Sequence, residues 1–282
     1  MDSLVSTDWL ERHLGGSGLV VLDATRHLPG SECDPHADFA ASHVPGARYL
    51  DLPSFQDPEA ELSNTLPTAA QFEARMRALG IGRTDRIVLY DDSMIASAAR
   101  AWFILRLFGH ERVAILDGGW SKWREENRPC ESGEAAVEPS DYAVDMVRGA
   151  NVRDKDRMLA NLDSRAEQVV DARDAERFSG ATEDTVHALP GGHIPGARNL
   201  PYRALFEDDG TYRSRDDLRQ AILDAGLDPR RPIVASCGSG MTASVLLFAL
   251  HLIGADETAL YDGSWAEWGA DPATPKETGA AV

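Results

Sequence analysis

Apolar residues along this chain fall into two alternating rhythms: short unbroken runs, and longer stretches with helical spacing. VVLDA (20–24), RIVLYD (86–91) and RVAILDG (112–118) are of the first kind, the first of them bounded by Gly18 and Pro29. Runs that are apolar at successive positions predict strands buried on both faces. TAAQFEARMRALGI (68–81) instead sets Phe72, Met76 and Leu79 on one helical face, with Thr68 as cap and Gly80 as stop. ASAARAWFILRLFG (96–109) predicts a second helix. Further on the alternation returns with PIVAS (232–236), TASVLLFALHLIG (242–254) and TALYDG (258–263). Strands alternating with helices predict the α/β class, with a mainly parallel sheet flanked by helices.

The alternation is written twice. HVPGAR at 43–48 returns as HIPGAR at 193–198, LDGGWSKW at 116–123 as YDGSWAEW at 261–268, and VLDA at 21–24 as VVDA at 169–172. The matches keep their order and nearly the same offset, which predicts two copies of one domain. The expected division is an N-terminal copy over 1–138, a linker over 139–148 and a C-terminal copy over 149–282. PCESGEAAVEPSD (129–141) lacks either period and predicts an ordered linker. His43 and His193 precede the same Pro-Gly turn in both copies and are expected to hydrogen-bond within it. Trp120, Trp123, Trp265 and Trp268 stand at helical spacing and are expected in the core.

Composition then narrows the class. Hydrophobic residues at 43% and charged residues at 26% are ordinary for a soluble globular protein. No apolar run approaches the roughly 20 residues needed to span a bilayer. The acidic, amphipathic MDSLVSTDWLERHL does not resemble a targeting peptide, so the expected address is the cytoplasm. With 46 acidic residues against 28 basic ones the net charge is −18, which would repel a phosphate backbone; neither nucleic acid nor membrane is an expected partner. Cys33, Cys130 and Cys237 lie far apart with no CxxC and no Cys/His ligand spacing, so neither a disulfide framework nor a metal site is expected.

Of the three cysteines, Cys33 and Cys130 sit in irregular polar stretches and are expected to be structural. Cys237 differs. PIVAS-CGSGM-TASVLLFALHL reads as strand, short turn and helix start, and ligands of parallel α/β sheets bind at the carboxyl ends of strands. A turn of Gly238, Ser239 and Gly240 lets successive N–H groups converge as an anion nest, and a helix beginning near Thr242 aims its positive end at the same place. Helix N-termini stabilise thiolates, so chemistry at Cys237 would begin from a nucleophilic sulfur. Cysteine-dependent phosphatases use a similar cradle, but they need an arginine six residues after the cysteine to grip phosphate. Here that place is Ala243, and no Arg or Lys occurs between 232 and 265, so the phosphatase reading fails. Aligning IVLYDDSMIAS (87–97) with IVASCGSGMTA (233–243) puts Asp91 opposite Cys237. The N-terminal copy then supports, and the C-terminal copy works.

These residues resemble the two-domain rhodanese-type sulfurtransferases, especially the 3-mercaptopyruvate group. The resemblance rests on H-[VI]-P-G-A in both halves, YDD in place of the cysteine in the first, LDGGW and YDGSW, and CGSGMTA, and it runs over nearly the whole chain. It implies tandem rhodanese-like domains and a Cys237 thiolate that takes sulfur from a small donor, 3-mercaptopyruvate or thiosulfate. The resulting persulfide would pass its sulfur to cyanide, a thiol or a thioredoxin-like protein, with no metal or organic cofactor. Ser239 would assist catalysis, and Gly238, Gly240, Met241 and Thr242 would line the anion nest. Within DARDAERF (171–178), Arg177 falls on the donor-carboxylate position; Arg173 would assist it or form a structural salt bridge. Three places depart from the mercaptopyruvate pattern. Val186, with His187 beside it, stands where a second arginine is frequent. Asn64 and Pro53 stand where a histidine and an aspartate are expected to move protons around the serine. Arg26 and His27 replace an aromatic pair. A thiosulfate-preferring enzyme, or a non-catalytic sulfur-carrier or partner-binding module, is therefore the alternative.

Overall fold

The computed structural model describes residues 1–134 and 136–280. Ala135, within the aperiodic 129–141 stretch, and the last two residues of the predicted C-terminal copy lie outside the described residues. The chain divides into two compact units: residues 1–58, 66–148 and 207–212, and residues 59–65, 149–206 and 213–282. Two short stretches thus group with the unit opposite to their place in the sequence. No helix among the described residues is long and apolar enough to cross a membrane.

The first unit runs β1 (Leu4–Val5), α1 (Thr7–His13), β2 (Leu19–Asp23), α2 (Pro35–Ala41), β3 (Arg48–Tyr49), α3 (Ala69–Ala78), β4 (Arg86–Tyr90), α4 (Ala98–Leu107), β5 (Val113–Leu116) and α5 (Gly119–Glu125). Its strands form one parallel sheet in the order β1-β5-β4-β2-β3. The second unit repeats this with β6 (Val152–Arg153), α6 (Lys155–Ser164), β7 (Gln168–Asp171), α7 (Ala175–Ser179), β8 (Arg198–Asn199), α8 (Arg215–Asp224), β9 (Ile233–Ser236), α9 (Ala243–Leu252), β10 (Thr258–Tyr261) and α10 (Ser264–Trp268). Its sheet order is β6-β10-β9-β7-β8, the same permutation. The α/β class expected from the alternation is thus present twice.

Local chemistry accounts for these elements. In α3 the Thr68 hydroxyl accepts the Gln71 N–H while Gln71 returns a bond to the Thr68 N–H, a full capping box. Phe72 and Met76 turn fully inward, and the helix ends before Gly80 at φ +62°. Each sheet buries its apolar runs on both faces: Val88, Tyr90, Ala114 and Trp123 in the first core, Val234, Ala259, Tyr261 and Trp268 in the second. Trp120, Trp123, Trp265 and Trp268 are all buried, as their spacing predicts. The Trp123 and Trp268 indoles donate to the Pro129 and Pro275 carbonyls respectively.

The two histidine turns match in detail. His43 exchanges backbone bonds with Glu131, and His193 does so with Glu277; the same glutamates accept the Gly46 and Gly196 N–H groups. Each imidazole Nδ1 bonds a phenylalanine carbonyl and stacks on that ring, Phe39 for His43 and Phe178 for His193. Between 136 and 148 the chain has neither helix nor strand. It is nonetheless held, because Tyr142 is fully buried beside His110 and Arg77 donates to its carbonyl.

Candidate active site

In the second sheet the chain passes from β7 out to β8, then returns to the other side of β7 to form β9 and β10. The sheet order therefore reverses between β7 and β9, and the crevice beyond their carboxyl ends is where such sheets bind ligands. Two segments emerge there: Ala172–Asp174 after β7, and Cys237–Thr242 after β9.

Cys237 is 2% exposed at the end of β9. Its N–H and that of Gly240 both donate to the Ser264 hydroxyl at 3.1 Å, and that hydroxyl donates to the Tyr261 carbonyl at 2.8 Å. One side chain, 27 positions later in the sequence, thus ties down both ends of the turn. Ser264 does so from the left-handed region, φ +50°, a strained conformation for a serine. Its counterpart in the first unit is Gly119, at φ +58°. The pairing is confirmed by matched bonds, Trp120 N–H to Asp91 carbonyl and Trp265 N–H to Cys237 carbonyl. Asp91 thus occupies the cysteine's place, as the alignment predicts.

Gly240 takes φ +76°. The N–H groups of Gly238, Ser239, Met241 and Thr242 donate to no acceptor among the described residues. Met241 is buried, and Thr242 is the N-cap of α9, whose first turn has no side-chain cap. Ser239 is buried, and its hydroxyl accepts a 2.9 Å bond from the Asn64 side-chain amide. Asn64 belongs to the 59–65 stretch that groups with the second unit and takes φ +66°.

The segment after β7 supplies the cations. Arg173 is 1% exposed; its guanidinium bonds both Asp171 oxygens and the Gly192 carbonyl, and lies over the Trp265 ring at 4.6 Å. Burial opposes its charge, but Asp171, Asp184 and Cys237 hold its pKa above the ordinary arginine range. The salt-bridge alternative for Arg173 is the geometry observed. Arg177 keeps 23% of its side chain exposed, bonds Asp174 at 2.6 Å and stands 3.6 Å from Asp184. Of the two arginines, it is the one that solvent reaches.

A carboxylate and an imidazole complete the group. Asp184 is fully buried and accepts from His187 Nδ1 at 2.9 Å. Burial raises its pKa, but the His187 hydrogen bond and the charges of Arg177 and Arg173 bring it down to about 2. The His187 ring lies against Gly238: a Cβ added there would come within 2.2 Å of its Cε1. Val186, by contrast, is exposed. Ser264, Asp171 and Asp184 escaped the sequence reading. For Ser264 a signal existed, since GGW in one copy reads GSW in the other.

One expectation is overturned. Cys33 and Cys130 are exposed rather than buried structural thiols, because the irregular polar stretches that hold them bring no apolar cover. Ligand atoms of His27, Cys33 and Asp38 lie within 4.8 Å of one another, with Cys33 and Asp38 exposed.

Comparison with known proteins places these features in context. Residues 6–126 and 154–271 each match the rhodanese-like domain. The chain is 35% identical to the 3-mercaptopyruvate sulfurtransferase of Escherichia coli K12, over 97% of both proteins. It is 33% identical to thiosulfate/3-mercaptopyruvate sulfurtransferase 2 of Arabidopsis thaliana, over 97% of this chain and 86% of that protein. Among solved structures, the E. coli 3-mercaptopyruvate sulfurtransferase SseA superposes with a TM-score of 0.85 at 32% identity, covering 94% of this chain and 99% of that one. The Tum1 protein of Saccharomyces cerevisiae gives 0.88 at 28% identity, covering 98% of each.

Proposed function

The chain belongs to the rhodanese family, and from that premise we propose that this sulfurtransferase moves a sulfur atom from 3-mercaptopyruvate or thiosulfate through a persulfide on Cys237. The carrying observation is the turn after β9. A cysteine sits at the strand end, with four loop N–H groups that meet no described acceptor and the N-terminus of α9 beside them.

The Cys237 thiolate attacks the outer sulfur of thiosulfate or the thiol sulfur of mercaptopyruvate, an S–S bond forms, and sulfite or the enolate of pyruvate leaves with the electrons of the broken bond. The persulfide anion is then held by the N–H groups of Gly238, Ser239, Met241 and Thr242 and by the helix dipole, a preorganised anion site that costs no rearrangement. Ser239, oriented by Asn64, hydrogen-bonds the reacting sulfur. Gly240 supplies the left-handed bend that lets the turn close. Arg177 meets the donor's carboxylate or sulfonate end, while Arg173, held by Asp171, acts by positioning β7's exit and by its charge. A thiol, cyanide or a thioredoxin-like protein takes the outer sulfur and restores the thiolate.

The test is to incubate the protein with each donor, without acceptor, and weigh it. Wild type should gain one sulfur atom, and Cys237→Ser should gain none. Arg177→Ala should keep the cysteine but raise KM for mercaptopyruvate at least about tenfold, the scale of a lost charge-assisted hydrogen bond. No mass gain with either donor would sink the reading.

A further inference from the structure

Mercaptopyruvate poses a proton problem that thiosulfate does not. When the Cys237 sulfur attacks the donor's thiol sulfur, the carbon–sulfur bond breaks and its electron pair stays on carbon as the enolate of pyruvate. The thiol proton stays on the new persulfide. To reach pyruvate, a proton must arrive at carbon, and the persulfide is held best once its own proton has gone. Sulfite, leaving from thiosulfate, needs no bond to carbon made or protonated.

Three side chains are placed on the 237–240 turn by bonding or packing: Asn64 on Ser239, Ser264 on the Cys237 and Gly240 N–H groups, and His187 on Gly238. Of these, only the imidazole offers a nitrogen lone pair that can accept a proton and hand it on. The geometry around His187 is that of an oriented base. The buried Asp184 carboxylate accepts from Nδ1 at 2.9 Å, which fixes the proton on that nitrogen and leaves Nε2 with its lone pair. Nε2 has no partner among the described residues, and the side chain retains 13% exposure. Asp184 is itself locked, since its N–H and carbonyl both bond Leu189 and its carboxylate faces Arg173 and Arg177. The ring cannot swing over the turn unless residue 238 lacks a Cβ, because one would stand 2.2 Å from Cε1, 3.0 Å from Nδ1 and 3.1 Å from Nε2.

We propose that His187, held by Asp184 against Gly238, is a catalytic residue that carries the mercaptopyruvate thiol proton to the carbon of the departing enolate. Nε2 takes the proton from sulfur as the S–S bond forms and returns it to carbon as the C–S bond opens. The sum is Cys237 thiolate plus mercaptopyruvate giving Cys237 persulfide anion plus pyruvate, with no further reactant. This rests on the sulfurtransferase reading and assigns within it a residue that separates one donor from the other.

The experiment is single-turnover persulfide formation, followed by rapid quench and mass, with both donors in wild type and in His187→Asn. Asparagine can keep the bond to Asp184 but has no Nε2 base. The expected result is a loss with mercaptopyruvate that exceeds the loss with thiosulfate by about 100-fold or more, the usual reach of a general acid–base group. Added imidazole should restore part of it. His187→Gln serves as a second variant if His187→Asn does not fold. Equal losses with the two donors would mean that the ring only supports the turn, and no loss with either would mean that it does nothing; both overturn the proposal. A wild type that accepts thiosulfate alone also overturns it, leaving the sulfurtransferase reading intact. A wild type that takes sulfur from neither donor removes both.

Discussion

At the scale of single residues, the site is a set of groups that each fix another. Ser264 shows this most plainly. Its hydroxyl serves two N–H groups and one carbonyl, all buried, from a backbone conformation that a serine adopts at a cost. Strain at such a place persists only because the surrounding bonds over-determine it. Ser264→Ala keeps the strained backbone and leaves both N–H groups without an acceptor. It should cost about 1–3 kcal/mol in a urea unfolding curve, the range for an orphaned buried polar group. It should also slow persulfide formation, since Cys237 loses its anchor. An unchanged unfolding midpoint would show that water takes over the hydroxyl's role.

At the scale of elements, the two copies act as controls for each other. The His43 and His193 turns keep the same glutamate bridge, the same carbonyl bond and the same stacked phenylalanine, although only one copy carries the cysteine. Conservation of the whole device in the half without a nucleophile identifies it as a brace. His43→Ala should therefore destabilise the fold by about 1–3 kcal/mol, losing a buried hydrogen bond and a ring contact. Its persulfide formation should stay within about twofold of wild type at temperatures where the protein is folded. A large kinetic loss in the folded variant would contradict the brace reading. The corresponding comparison at the strand ends gives the opposite lesson, because β4 is followed by Asp91 and β9 by Cys237.

At the scale of the molecule, that substitution has a thermodynamic consequence. Burial pushes the Asp91 pKa up to about 7, against the Ser97 hydrogen bonds that lower it. In the unfolded chain the carboxyl titrates near 3.8. Between these values the folded protein holds a proton that the unfolded chain has released, so stability falls as pH rises from about 4 to 7 and stays lower above. Asp117, raised to about 6 by burial and by Asp209, acts in the same direction. Asp91→Asn should thus flatten the decline and make the protein more stable at pH 8 than wild type, by a few kcal/mol. Melting temperatures of the two proteins across pH 5 to 8 would check this. Parallel curves would show that Asp91 does not titrate as its burial requires.

Much of this was legible in the order of residues. Apolar runs and helical spacing mark the strands and helices because burial on both faces, or along one stripe, imposes those periods whatever the topology. Thr68, Gln71 and Gly80 mark α3 by chemistry confined to a few neighbouring positions. Repeated motifs with nearly constant offset reveal the duplication, and the contrast between Asp91 and Cys237 points to the working half. Other features depend on chain segments that no local pattern connects. The Ser264 hydroxyl reaches Cys237 only because β10 lies beside β9, and Asn64 reaches Ser239 only because residues 59–65 group with the second unit. His187 could be noted in the sequence as a neighbour of Val186, but not as a base. Only the fold could bury Asp184, turn the ring toward Gly238 and leave one nitrogen open, because orientation and burial come from contacts that close across the sheet after its strands have found their order.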